Sequence, residues 1–128
     1  MKSQLLELNI VPGGVPPIVQ AAQYDVGRTI QVKLQDGINT LGVDSDTQYI
    51  VVGTKPSGKR FRKKNIVTVN NDSLEFDLTA SMTPVYGDVF CGIIMVNGET
   101  RIGSLLFTIH LQKAPFDEDI PDVDDIDP

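Results

Sequence analysis

Apolar and polar residues alternate most cleanly over residues 28–34. There Ile30, Val32 and Leu34 share one face and Thr29, Gln31 and Lys33 the other, the period-two signature of a half-buried strand. Leu74, Phe76 and Leu78 alternate with Glu75 and Asp77 in the same way. Residues 100–111 put Leu105, Phe107, Ile109 and Leu111 on one side, which turns Thr108 and the single histidine, His110, to the other. Residues 48–54 are apolar on both faces (Tyr49, Ile50, Val51, Val52), as a central strand covered on both sides requires. Residues 88–96 read as a second buried strand, with Ile94 assigned to the core. Residues 5–11 and 18–24 are extended, and 59–69 read as one strand that begins basic and ends apolar.

Turn chemistry separates these runs. Pro12-Gly13-Gly14 and Pro16-Pro17 close the first strand, Asp36-Gly37 is a hairpin signal, 42–47 is loop and Asn70-Asn71-Asp72 reverses the chain. Lys55-Pro56-Ser57-Gly58 has Pro second and Gly fourth, as a type I turn prefers. Asn97-Gly98 predicts a type I′ hairpin turn. Thr79-Ala80-Ser81-Met82-Thr83, closed by Pro84, is the one short helical turn. The expected fold is therefore all-β: an antiparallel β-sandwich, immunoglobulin-like, of about seven or eight strands.

At 128 residues the chain has length for one domain with a single modest core, and with 6% aromatics and no Trp that core is aliphatic. The net charge of −6 is unevenly spread. Residues 114–128 carry seven acids (Asp117, Glu118, Asp119, Asp122, Asp124, Asp125, Asp127) and no base, whereas 1–113 carry ten acids and eleven bases. This divides the chain into a sandwich domain over 1–113 and an acidic disordered tail or linker over 114–128, with Phe116, Ile120, Val123 and Ile126 spaced between acids and prolines as in a short docking segment.

Candidate chemistry is sparse. One His and one Cys cannot supply the ligand set of a transition-metal centre, and Asp44-Ser45-Asp46 lacks the spaced oxygens of a calcium loop. No Ser sits in a nucleophile elbow, and Gly13-Gly14 leads into prolines where a phosphate-cradling loop would start a helix. The expectation is no enzyme, no cofactor and no metal. Cys91, in an apolar run, reads as a buried, inert thiol. No apolar stretch approaches the roughly 18–20 residues that span a bilayer, and the first residues lack a secretion-signal core, so the chain is expected to be soluble and made in the cytoplasm.

The strongest charge feature is Lys55, Lys59, Arg60, Arg62, Lys63 and Lys64, six of the eleven bases within ten residues. Arg60, Arg62, Lys63 and Lys64 are the candidate partner-binding residues. Alternatively the run is a solvated hairpin that protects a strand edge, or the place where the acidic tail folds back. Phe61 is the only aromatic nearby, which disfavours nucleic acid.

In order, Gly27-Arg28-Thr29-Ile30-Gln31-Val32-Lys33-Leu34 with Asp36-Gly37, then Val52-Gly53-Thr54-Lys55-Pro56-Ser57-Gly58, resemble the amino-terminal domain of phage baseplate upper proteins of tailed phages of Gram-positive bacteria. Leu78-Thr79-Ala80-Ser81-Met82-Thr83-Pro84-Val85-Tyr86-Gly87 and Arg101-Ile102-Gly103-Ser104-Leu105-Leu106-Phe107-Thr108-Ile109 extend the resemblance over roughly residues 18–112. The resemblance implies a virion structural protein: a baseplate attachment β-sandwich that anchors a host-adsorption device to the tail hub. It also implies multiple copies and other virion proteins as partners (tail hub or receptor-binding protein); neither nucleic acid nor a membrane is expected as a partner. The expected location is the virion tail baseplate, after synthesis in the host cytoplasm. Two alternatives stand beside it, a head-fibre or capsid-decoration domain and a carbohydrate-binding module, the latter disfavoured by three Tyr and no Trp.

Overall fold

Period-two patterning does produce a two-sheet β-sandwich. The computed structural model describes residues 5–10, 15–34, 47–70, 73–116, 118 and 120–127. Within them the strands are β1 (Leu5–Ile10), β2 (Ile18–Ala22), β3 (Thr29–Leu34), β4 (Thr47–Thr54), β5 (Arg60–Lys64), β6 (Thr68–Asn70), β7 (Ser73–Asp77), β8 (Gly87–Asn97), β9 (Thr100–Gln112) and β10 (Asp125–Ile126). One sheet has the order β1-β3-β7-β6 and the other β10-β5-β4-β8-β9-β2. The hairpin signal at Asp36-Gly37 and the loop at 42–47 fall wholly or mostly outside the described residues.

The core lies between the sheets. Ile30 and Val32 of β3 and Leu74 and Phe76 of β7 face Val51 of β4, Val89, Cys91, Ile93 and Met95 of β8, and Leu105, Phe107, Ile109 and Leu111 of β9. Phe76 and Phe107 meet with ring centroids 6.1 Å apart and planes tilted by 43°, a favourable aromatic separation.

Four features of the fold depart from the sequence reading, each for a local or long-range reason. First, the sheets are mixed. The pairs β1–β3, β2–β9 and β10–β5 are parallel, and such pairs join strands remote in sequence, which turn residues cannot announce. Second, 59–69 is two strands. Asn65 has φ 62°, a left-handed conformation Asn tolerates well. The chain turns there out of the large sheet, and β6 joins the small one.

Third, the β8–β9 turn is displaced by one residue. Asn97 pairs with Thr100, so the two loop residues are Gly98 and Glu99. Gly98 alone of the two has positive φ, 63°, the signature of a type II′ turn. A bulge between Met95 and Val96 absorbs the offset. Fourth, β8 presents Val89, Cys91, Ile93 and Met95 to the core, so Ile94 is half-buried on the outer face and is not a core residue.

The Lys55–Gly58 turn forms as its residues predict, with Gly58 N–H donating to Lys55 C=O at 2.8 Å and Gly58 at φ 91°. Thr79–Met82 closes through one hydrogen bond, Met82 N–H to Thr79 C=O at 3.1 Å, a single turn and no helix. Cys91 is buried, and desolvation pushes its thiol up to about 12, partly countered by a backbone hydrogen bond at Ile109. At neutral pH it is therefore a packed thiol and not a nucleophile.

Gly53 and Phe61 are cross-strand partners on β4 and β5, and the Phe61 ring lies over the glycine. A Cβ at Gly53 would stand 2.6 Å from Phe61 Cε2, inside van der Waals contact with a ring that is itself buried. Gly53→Ala should lower stability by about 1–3 kcal/mol through overpacking, and Phe61→Leu should recover part of the loss in the double variant. Urea denaturation of the three proteins checks this; an unchanged midpoint for Gly53→Ala would show that the ring does not occupy this position.

Candidate docking surface

Arg60–Lys64 of the basic run form β5, which only the two-residue β10 separates from one edge of the six-stranded sheet. Alternation splits it: Phe61 enters the core, and Arg60, Arg62 and Lys64 project to the side opposite Phe61. The four candidate residues therefore do not form one patch. Lys63, on the Phe61 side, points its ammonium at Asp125 (3.2 Å) and Asp127 (3.4 Å).

Those acids belong to the acidic tail, which lies against β5 where the sequence reading expects a disordered extension. β10 pairs in parallel with β5, Asp125 opposite Phe61 and Ile126 opposite Arg62. Arg60 N–H donates to Asp124 Oδ1 at 2.7 Å and Lys64 N–H to Asp127 Oδ2 at 2.8 Å. Asp127 N–H returns a bond to Arg62 C=O at 2.8 Å, and Ser81 Oγ donates to Asp125 Oδ2 at 2.7 Å. Carboxylates accepting backbone N–H groups make charge-assisted bonds, stronger than neutral ones. The tail is thus a strap across the open edge of the sheet.

Lys55 fastens the strap. Its side chain is fully buried, and Nζ donates to Ser81 C=O (2.9 Å) and Val123 C=O (2.8 Å) and stands 2.8 Å from Asp122 Oδ1 as an ion pair. Two of the ammonium's three protons go to these carbonyls, and the Asp122 carboxylate meets its charge. Two of these three oxygens come from the strap. Nothing in the residue types around Lys55 marks it as buried. Its place between β4 and Pro56 reads as exposed turn, and the groups that meet its ammonium come from remote residues, Ser81 and the tail.

The titrating groups of the strap are shifted by these contacts. Burial opposes ionisation of Asp122, but hydrogen bonds from Lys55 and Ser57 and the charges of Lys55 and Lys59 outweigh it and hold the carboxyl below its usual 3.8. Asp127 is held below 3.8 chiefly by the Lys64 backbone N–H, against slight desolvation, with help from Lys63 and the charge of Lys64. For Lys63 desolvation works downward, yet the bonds to Asp125 and Asp127 and their charges raise it above 10.5.

A depressed carboxyl stabilises docking fully above its unfolded value and loses that stabilisation as pH falls through the lower folded value; a raised ammonium stabilises below 10.5 and loses this as pH rises further. Strap docking should therefore be flat near neutrality and weaken at both extremes. NMR titration checks it: the Lys64 amide should move as Asp127 protonates, at a pH below the usual 3.8, and a Lys64 amide blind to acid would remove the Asp127 contact.

Beside the strap, the outer face of the large sheet carries a groove of about 520 Å³ lined by Val52, Phe90, Ile94 and Leu106, with Gly92 at its floor and Ile126 of the strap on one wall. Phe90 is 66% and Leu106 56% exposed, unusual for large apolar side chains adjacent on one face. Arg60 and Arg62 border it. The sequence carried a trace of this: Leu106 interrupts the polar phase of β9, and Phe90 and Ile94 make β8 apolar in both phases. His110, on the outer phase of β9, meets Asp88 at 2.7 Å.

Fold and surface together define a strapped two-sheet β-sandwich with an apolar, basic-rimmed outer face. No protein-family model matches the chain, and no curated protein matches it. Among solved structures it is similar to the N-terminal domain of ORF48 of phage TP901-1, with a TM-score of 0.48 and 11% identity over 88% of this chain and all of that one.

Proposed function

We propose that this chain is a virion structural protein, the attachment domain of a tailed-phage baseplate, which anchors a host-adsorption device to the tail hub in multiple copies. The observation that carries the reading is the meeting of the resembling sequence stretches in space. Gly27 N–H donates to Leu78 C=O (2.9 Å) and Leu78 N–H to Arg28 C=O (2.8 Å), joining the first stretch to the third. Lys55 Nζ reaches Ser81 C=O, and a Cβ on Gly87 would stand 3.0 Å from Pro56 Cγ, joining the second to the third. The fourth pairs with β8 through residues 101 and 103–109. Stretches that are individually turns and strands thus act as one scaffold, which is why their order and spacing carry more information than any of them alone.

The attachment surface in this reading is the groove around Phe90 and Leu106, and its rim of Arg60 and Arg62 suits a partner with apolar side chains ringed by acids. Lys63 serves the strap. Multiple copies would strengthen modest individual contacts. The test is co-purification with a tail hub protein. Phe90→Asp with Leu106→Asp should abolish capture while circular dichroism stays that of the parent. Capture by capsids in place of the hub would make the chain a decoration domain, and clear binding on a glycan array would make it a carbohydrate module; either result overturns the proposal.

A further inference from the structure

The strap and its seat are separable. Among the described residues, the groups that hold residues 122–127 lie between Lys55 and Ser81: the Lys55 ammonium, the Ser57 hydroxyl, the Arg60 and Lys64 N–H groups, the Arg62 carbonyl, the Lys63 ammonium and the Ser81 hydroxyl. The strap contributes nothing to its own seat. Its acids find donors spread along the seat, Asp122 at Lys55, Asp124 at Arg60, Asp125 at Ser81 and Lys63, and Asp127 at Lys64 and Lys63. The seat therefore reads the spacing of an extended acidic peptide, adding it to a sheet edge in the manner of strand addition.

The connection to this peptide is long. The strap departs from β9, whose neighbours in the sheet order are β8 and β2, and lands beyond β4 on β5. From β9 to β10 the sheet order counts four strand spacings, about 19 Å, whereas the nine residues 113–121 can extend to about 30 Å. Pro115 and Pro121 favour extended backbone there. The slack allows the same peptide to reach the seat of an adjacent molecule. Exchange of an identical element between copies replaces each contact by its equal and leaves little net change in free energy.

We infer that the β5 edge is an acceptor site in trans: where two copies lie side by side, residues 122–127 of one occupy the β5 seat of the other. The inference needs only that copies meet, and is independent of what the domain attaches to. In dilute solution the covalent connection favours the molecule's own strap, because its effective concentration is in the millimolar range.

The test uses two full-length variants. Asp124→Asn/Asp125→Asn/Asp127→Asn weakens the strap and spares both the seat and the buried Lys55–Asp122 pair. Lys63→Glu weakens the seat and spares the strap. Neither alone should associate at about 100 µM, while their mixture should sediment as a 1:1 dimer, because tethering raises effective concentration only to about millimolar. Excess synthetic peptide 114–127 should dissolve that dimer, and the peptide should bind the triple variant about tenfold more tightly than a triple variant that also carries Lys63→Glu. Where the triple variant fails to fold by circular dichroism, Asp127→Asn alone replaces it. A mixture that stays monomeric, a dimer indifferent to the peptide, or peptide binding unaffected by Lys63→Glu would each overturn the inference.

Discussion

Ile93→Asp should leave the protein unfolded at 25 °C, whereas Ile94→Asp, one residue on, should leave it folded. Ile93 is 0% exposed and sits in register with Val51 of β4 and Leu105 of β9, both core residues. A carboxylate there has no cation within the cluster and must be desolvated or protonated, at several kcal/mol, on top of the lost contacts of a buried isoleucine. That total is comparable with the roughly 5–15 kcal/mol by which a domain of this size is stable. Ile94 lies on the opposite face against the groove, half-buried and open to solvent. Aspartate there gives up part of an apolar contact, about 1–2 kcal/mol. Circular dichroism and thermal melting of both variants decide it. An Ile94→Asp protein that unfolds while Ile93→Asp melts normally would reverse the facing of β8, and with it the position of the core.

The second large effect is an asymmetry within one ion pair. Asp122→Ala should destabilise the protein by about 3–5 kcal/mol, the range for removing one partner of a buried pair, and Lys55→Met by about 1–3 kcal/mol. The Lys55 side chain is 0% exposed and that of Asp122 21%. Loss of the carboxylate strands an ammonium that cannot reach water, with only two carbonyls for company. Loss of the ammonium instead leaves a carboxylate that hydrates with a small movement of the strap, and a methionine fills the space of the lysine stem. Urea denaturation at neutral pH measures both. Equal losses, or a milder effect of Asp122→Ala, would mean that Lys55 is not enclosed. By the same reasoning a chain ending at residue 113 should be less stable than the full chain, because it lacks both strap partners of Lys55. A terminal linker would have no such effect.

These two predictions mark the two places where residue pattern and structure part company. Alternation in β3, β7 and β9 assigned Ile30, Val32, Leu74, Phe76, Leu105, Phe107, Ile109 and Leu111 to a buried face, and they are buried. The same criterion is silent for β8, where residues 89–96 hold apolar side chains in both phases. Which phase faces inward depends on what covers each side, and that is a property of the other sheet. Lys55 gives no local sign of burial because the three oxygens around its ammonium belong to residues 81, 122 and 123.

For the surface, the basic run of 55–64 and the acidic run of 114–128 were both plain as charge patterns. Their match was one of several open alternatives, since charge alone does not say whether an acid finds its base in the same molecule. The structure resolves that through hydrogen bonds to the Arg60 and Lys64 backbone N–H groups, which depend on the strap lying parallel to β5 and in register. The groove needed three strands to be ordered side by side before Val52, Phe90, Ile94 and Leu106 could share a wall.

By itself, then, the sequence determined whatever is decided within a few residues: the strands with clean alternation, the Lys55–Gly58 turn, the buried chemistry of Cys91 and the separation of a near-neutral body from an acidic tail. Only the tertiary structure decided the parallel pairings, the facing of β8, the sheet switch at Asn65 and the seating of the strap. The physical division is one of range. Backbone sterics and period-two burial act between neighbours, whereas pairing of remote strands and enclosure of Lys55 arise from groups tens of residues apart, whose encounter no local preference encodes.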